Sequence, residues 1–250
     1  MPRFRTPAIL ARLAMAMAGG QTPPPMRTPL TLRSALATCR DEGPLPEERR
    51  LDLGQNRGPA AVLAALRERF AAHDWPVAEE CSNVREFFLA LERLPERDER
   101  TPIGIACAAD GMDVAEPFQS AEFGGGGVLV DWDPGAVQLR RVRCGDAKNI
   151  GDLLGEGLGG SVPDLTLVGL PVQSRARRDL VGAVPSALHS YLPWSGTHEA
   201  HVVCGLGIAL AVLQGEIPMK RLRLPHAPKS IAVLASHGRS FLGLCLLERS

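Results

Sequence analysis

Aromatic side chains are scarce in this chain: only 4% of its 250 residues are Phe, Trp or Tyr. That argues against a surface on which nucleic-acid bases stack in succession. Net charge is missing too. Lys and Arg number 28, and so do Asp and Glu, so no long-range field draws the chain to nucleic acid or to an anionic membrane. No apolar run approaches the length of a membrane-spanning helix. The six cysteines (Cys39, Cys81, Cys107, Cys144, Cys204 and Cys245) form no C-x-x-C pair and no regular spacing. They read as reduced thiols of a cytoplasmic protein rather than as a disulfide framework. No internal repeat of fixed period is visible.

What remains is an ordinary globular composition, 45% apolar, long enough for one large domain or two small ones. Met1–Gly20 has the outline of a signal peptide, but Arg12 interrupts its apolar run. The alternative is a short amphipathic helix stopped by the prolines of Gln21–Pro25. Residues 1–29 are therefore read as a helix and Pro-rich linker ahead of a domain over 30–250.

From Gly58 the pattern becomes regular. Pro59–His73 and Ser82–Leu94 carry apolar residues at helical spacing. Pro102–Ala108 is a short unbroken apolar run, as a buried strand should be. Gly127–Trp132 and Ala136–Val142 read as a hairpin around Asp133-Pro134-Gly135. Gly151–Gly160 reads as a loop, Leu165–Leu170 as a strand, and Arg175–His189 as a helix broken or kinked at Pro185. Glu199–Gln214 is apolar nearly all round and predicts a helix buried on every side. Ile231–Ala235 and Phe241–Leu247 predict closing strands. Strands alternating with helices imply an α/β layered sheet.

The order of elements in Leu192–Glu248 resembles the C-terminal end of β-ketoacyl synthases, condensing enzymes of the thiolase superfamily. A small-residue turn bearing His198 opens an apolar helix, Gly215-Glu216-Ile217-Pro218 ends it, and two short strands follow. Glu80–Asp110 resembles the family's segment with a nucleophilic Cys at a helix N-terminus. Phe123–Val130 (FGGGGVLV) resembles its later glycine-rich strand. The resemblance implies a thiolase-like layered αβαβα fold with an abbreviated N-terminal half. It makes Cys81 the candidate nucleophile and His198 the candidate enolate-stabilising histidine. Such chemistry needs a thiolate, favoured at a helix N-terminus, and donors that polarise a thioester carbonyl. Both residues have plainer readings. Cys81 follows Glu79 and Glu80, which would raise its pKa, and suits a packing role. His198 and His201 suit an N-terminal turn with backbone or solvent partners.

The chain also departs from the family pattern. Pro171-Val172-Gln173-Ser174-Arg175 stands where a His-Gly-Thr-Gly-Thr motif is expected, and Ser236-His237-Gly238-Arg239-Ser240 replaces a Gly-Phe-Gly-Gly turn. The expectation is thus a catalytically degenerate partner of an active ketosynthase in fatty-acid or polyketide assembly, resembling chain-length factors. Its partners would be a ketosynthase subunit and an acyl carrier protein, in a hetero- or homodimer. The alternatives are an active acyl-transfer or condensing enzyme using Cys81, and a non-enzymatic interaction protein with its N-terminal helix as an address.

No cofactor is expected. His198-Glu199-Ala200-His201 lacks the i, i+4 spacing of a zinc-protease helix, so no metal is expected either. Gly155–Gly160 does not clearly follow a strand, which argues against a dinucleotide loop. Gly124–Gly127 suits close backbone approach better than a phosphate cradle. Arg175, Arg177 and Arg178 read as a solvated helix face, with a phosphopantetheine or carrier-protein contact as the alternative.

Overall fold

The computed structural model of the chain describes residues 30–40, 43–53, 55, 58–71, 77–97, 100–109, 123–170, 186–196, 198–238 and 240–250. The expected helix and linker of 1–29 lie outside them.

Nine strands form one sheet among the described residues: β1 (Leu30–Ala37), β2 (Val77–Cys81), β3 (Ile103–Ala109), β4 (Gly124–Asp131), β5 (Val137–Asp146), β6 (Leu165–Gly169), β7 (Ala187–Ser190), β8 (Ser230–His237) and β9 (Phe241–Arg249). Their order is β2-β3-β4-β1-β5-β9-β8-β6-β7. The helices are α1 (Pro59–Ala71), α2 (Val84–Arg93), α3 (Ile150–Leu158), the single turn α4 (Leu192–Ser195) and α5 (Val202–Leu213).

The layers follow from alternation along the strands. Successive strand residues face opposite sides, and the buried residues sort accordingly. On β3, Ile103, Ile105, Cys107 and Ala109 join a central core, whereas Ala106 and Ala108 join an outer core with Val62, Leu66 and Phe70 of α1. On β8 and β9, Ile231, Val233, Cys245 and Leu247 face the centre, while Ala232, Leu234, Leu244 and Leu246 face α3. α5 packs on β1 and β4 at one side and on β6, β8 and β9 at the other, and α2 likewise touches β2, β3, β5, β8 and β9. The sheet therefore wraps around α2 and α5, with α1 and α3 outside. That is the expected αβαβα layering. All twelve residues of α5 are buried, as an all-round apolar helix requires.

Glycine makes the layers close enough. A Cβ on Gly126 would come within 2.3 Å of the Leu36 carbonyl and 2.7 Å of Val203 Cγ1, and one on Gly127 within 3.2 Å of Leu66. The glycine run of β4 thus admits α5 on one face and α1 on the other, which is the close approach its sequence suggested.

Three expectations need correction. β4 and β5 are not a hairpin, because β1 lies between them and pairs antiparallel with both. The Asp133–Gly135 loop arches over the end of β1, held by Thr31 Oγ1 donating to the Asp133 carbonyl at 2.6 Å and by Arg33 donating to the Asp133 and Pro134 carbonyls. The span 151–160 is not a loop but most of α3. Ile150, Leu153, Leu154 and Leu158 are spaced for one helix face, and Gly159 ends it in the left-handed region at φ 57°. Of the helix expected over 175–189, residues 175–185 lie outside the described set. Ala187–Ser190 is a strand running parallel to β6.

Candidate active site

Cys81 closes β2 and stands just ahead of α2, where the resemblance put it. Asn83 caps that helix, its side chain accepting from the Glu86 N–H at 2.9 Å, and Glu86 reaches back to the Ser82 N–H and hydroxyl, both at 2.8 Å. This resembles a reciprocal capping box: Asn83 satisfies the Glu86 N–H and the Glu86 carboxylate ties down Ser82, just ahead of the helix. The same carboxylate then acts on the thiol. Burial, followed by the Glu86 charge, pushes Cys81 up to about 12. Glu79 and Glu80, the acids suspected from sequence, turn to Arg97 and Arg67 in ion pairs instead. A helix N-terminus favours a thiolate, but here burial and the Glu86 carboxylate outweigh it.

His198 is 1% exposed and spends both ring nitrogens on nearby main chain. Its Nδ1 accepts from the Ala200 N–H at 3.2 Å, which leaves Nε2 to donate to the Ser195 carbonyl at 3.1 Å. The ring rests on Gly124, where a Cβ would come within 2.3 Å of Nε2.

Cys81 belongs to the central core, and His198 is buried beside Gly124. Cys81 aligns with Cys107 on β3, and Cys107 with Gly126 on β4. Two strand spacings separate Cys81 from Gly126, about 10 Å, and His198 stands beyond, at Gly124.

The closing turn brings a histidine that the sequence reading noted only as a departure. His237, at the end of β8, hydrogen-bonds through Nδ1 to the Glu199 carboxylate. Its charge also reaches Glu86 and helps to hold that carboxyl below the usual range, after the stronger hydrogen bonds from Ser82. Cys107 is pushed up by burial and then by Cys81, Glu86 and Glu199 together. Cys81 thus lies opposite Cys107 on β3, and the charges of Glu86 and Glu199, the latter paired with His237, reach these thiols. The clue in the sequence was His237 in a turn expected to be glycine, but its partner Glu199 is 38 residues away.

Behind these lies a buried polar pair. The Tyr191 hydroxyl donates to the Leu234 carbonyl at 3.3 Å and sits 3.1 Å from His201 Nδ1, while His201 Nε2 has no hydrogen-bond partner among the described residues. Burial, then the neighbouring His198, brings His201 down to about 3, so its ring is neutral. Among the described residues no group of three or more His, Cys, Asp or Glu side chains could hold a metal ion. No described helix is long and apolar enough to cross a membrane. A cleft of about 510 Å³ lined by Ser34, Leu36, Pro46, Glu48, Arg49 and Glu216 opens beside the outer core to which Leu36 belongs. It lies away from Cys81, which faces the centre.

No protein-family model matches the chain, and no curated protein sequence does. Solved structures do. ChlB3, an acyltransferase, superposes with a TM-score of 0.56 at 11% identity, over 88% of this chain and 98% of its own. This chain has a thiolase-like, ketosynthase-like fold. The ishigamide ketosynthase/chain length factor superposes with a TM-score of 0.52 at 14% identity, over 76% of this chain and 61% of that one.

Proposed function

We propose that residues 30–250 act as a catalytically degenerate, ketosynthase-like subunit. It would work beside an active ketosynthase and an acyl carrier protein in the cytoplasm, in polyketide or fatty-acid assembly, as a chain-length-factor-like partner. The observation that carries this reading is the state of the two candidate catalytic groups. Burial and the Glu86 charge push the Cys81 thiol up to about 12, so it is held as the thiol and not as the thiolate nucleophile. His198 has no ring nitrogen left for a thioester carbonyl, and removing one such donor costs about 10²–10³ in rate. The likeness to the ishigamide ketosynthase/chain length factor supports the partner role.

Co-expression with a ketosynthase encoded beside it tests the reading. A stable heterodimer is expected, with condensation activity surviving Cys81→Ala in this chain. A chain that stays alone with every such ketosynthase overturns it.

A second reading has one specific observation in its favour: the chain covers 98% of ChlB3, an acyltransferase. It would make Cys81 an acyl acceptor, with the Glu199–His237 pair close by. An acyl-thioester probe decides. Labelling at Cys81 that disappears in Cys81→Ala supports acyl transfer, and its absence supports the subunit.

A further inference from the structure

Two cysteines face each other across neighbouring strands. β2 and β3 run parallel, and their register sets Glu79 against Ile105, Glu80 against Ala106 and Cys81 against Cys107. Alternation then decides the face. Ile105 and Cys107 belong to the central core and Ala106 to the outer one, and Cys81 belongs to the central core as well. Both side chains therefore leave the sheet on the same side, one strand spacing apart, about 4.8 Å. A disulfide spans Cα separations of about 4.4–6.8 Å, so the two main chains already stand at bridging distance. On the other flank of Cys107 lies Gly126 of β4, which brings no side chain into the row.

No other two cysteines of the described strands oppose each other. Cys144 lies against Gly243, and Cys245 against Val142 and Val233. A disulfide draws its Cβ atoms to about 3.8 Å, about 1 Å closer than the strand spacing. Cys81 can supply that movement, because it is the last residue of β2 and the last to pair with β3. It is 8% exposed and Cys107 is 0% exposed, so a small oxidant reaches the Cys81 sulfur first.

We propose that Cys81 and Cys107 are a thiol-modification site that closes to a cross-strand disulfide when the chain meets a hydroperoxide. The Cys81 thiol gives its proton to solvent, and its sulfur attacks one peroxide oxygen. The O–O bond breaks, sulfenic acid forms, and the other oxygen takes up a proton and leaves as water or alcohol. The Cys107 sulfur then attacks the Cys81 sulfur. The S–O bond breaks, the hydroxyl leaves as water with the Cys107 proton, and the S–S bond forms. Two thiols lose two electrons in all, and one peroxide is reduced. Burial, then the Glu86 charge, raises Cys81 to about 12, and burial raises Cys107 as well, so closure is slow at neutral pH. Neither thiol gains from ionisation, however, and a reduced form without that gain leaves the bridge hard to reduce. The bridge would fasten the chain just ahead of α2 to β3 and withdraw the Cys81 sulfur from any acyl group. The inference goes beyond the subunit reading and holds whichever role Cys81 has.

The test treats the full chain with hydrogen peroxide at pH 7 and pH 9, unfolds it in maleimide and maps its peptides. The expected product is the Cys81 peptide joined to the Cys107 peptide, lighter by two hydrogens and separated again by dithiothreitol after unfolding. Its rate should rise about tenfold per pH unit over that range, because ionisation of Cys81 limits the attack. Three results overturn the proposal: a bridge between other cysteines with Cys81 and Cys107 free, Cys81 sulfinic acid with Cys107 free, or both thiols unchanged at pH 9. Cys107→Ala should leave a Cys81 sulfenic acid that dimedone labels, and no bridge. Should that variant not fold, the rates in the unmodified chain serve, and equal rates at the two pH values count against attack by Cys81.

Discussion

His201 gives the chain an acid sensitivity that can be calculated and then removed. Its ring is wholly buried beside Tyr191, and burial followed by His198 lowers its pKa from 6.5 to about 3. In the unfolded chain a histidine binds its proton near 6.5. Between these values the unfolded state holds a proton that the folded state refuses, so stability is full above pH 6.5 and falls as pH falls. At pH 5 the unfolded form gains about 1.5 pH units of protonation free energy, or about 2 kcal/mol; below pH 3 the loss reaches about 5 kcal/mol. His201→Asn removes the titrating group and leaves a polar partner for the Tyr191 hydroxyl. Urea unfolding of both proteins at pH 5.0 and 7.5 is the assay. The unmodified chain should lose about 2 kcal/mol more than the variant between the two pH values, about 1 M in midpoint for a domain of this size. Comparing the two slopes cancels every other titrating group. Parallel slopes would show that His201 is protonated in the folded protein, and the reasoning from burial would fail.

Other outcomes follow from the packing. Gly126→Ala should destabilise the chain by about 3 kcal/mol in the same assay, because the new Cβ would meet the rigid Leu36 carbonyl at 2.3 Å. Gly151→Ala should instead stabilise by about 0.5 kcal/mol. It sits in α3 with nothing within 4 Å of the added carbon, and alanine loses less entropy in a helix. Asn83→Ala should cost about 1 kcal/mol through the lost cap on Glu86 N–H, read as a lowered thermal midpoint. If Asn83→Ala leaves the midpoint unchanged, the cap is not what starts α2.

Periodicity alone determined the elements whose neighbours in sequence decide their form. α2 carries Val84, Phe87, Phe88 and Leu91 toward the core at helical spacing, and α5 is apolar on all sides, so each could be read without knowing what it touches. The same spacing was present in Ile150, Leu153, Leu154 and Leu158, but glycines at 151, 155 and 157 hid it, since glycine disfavours a helix unless packing compensates. The order of elements together with the Cys81 position made the ketosynthase-like fold legible. Tertiary structure decided the rest, because strand pairing is non-local. That β1 slots between β4 and β5 rests on contacts about a hundred residues apart, and no turn signal at Asp133–Gly135 could reveal it. The candidate site was decided in the same way. Sequence supplied a cysteine at a helix start and a histidine before α5, but whether they meet, which acid raises the thiol, and that His237 finds Glu199 all depend on how the sheet wraps. A residue's chemistry is set by what folding brings within a few ångströms of it, and the order of residues along the chain does not contain that distance.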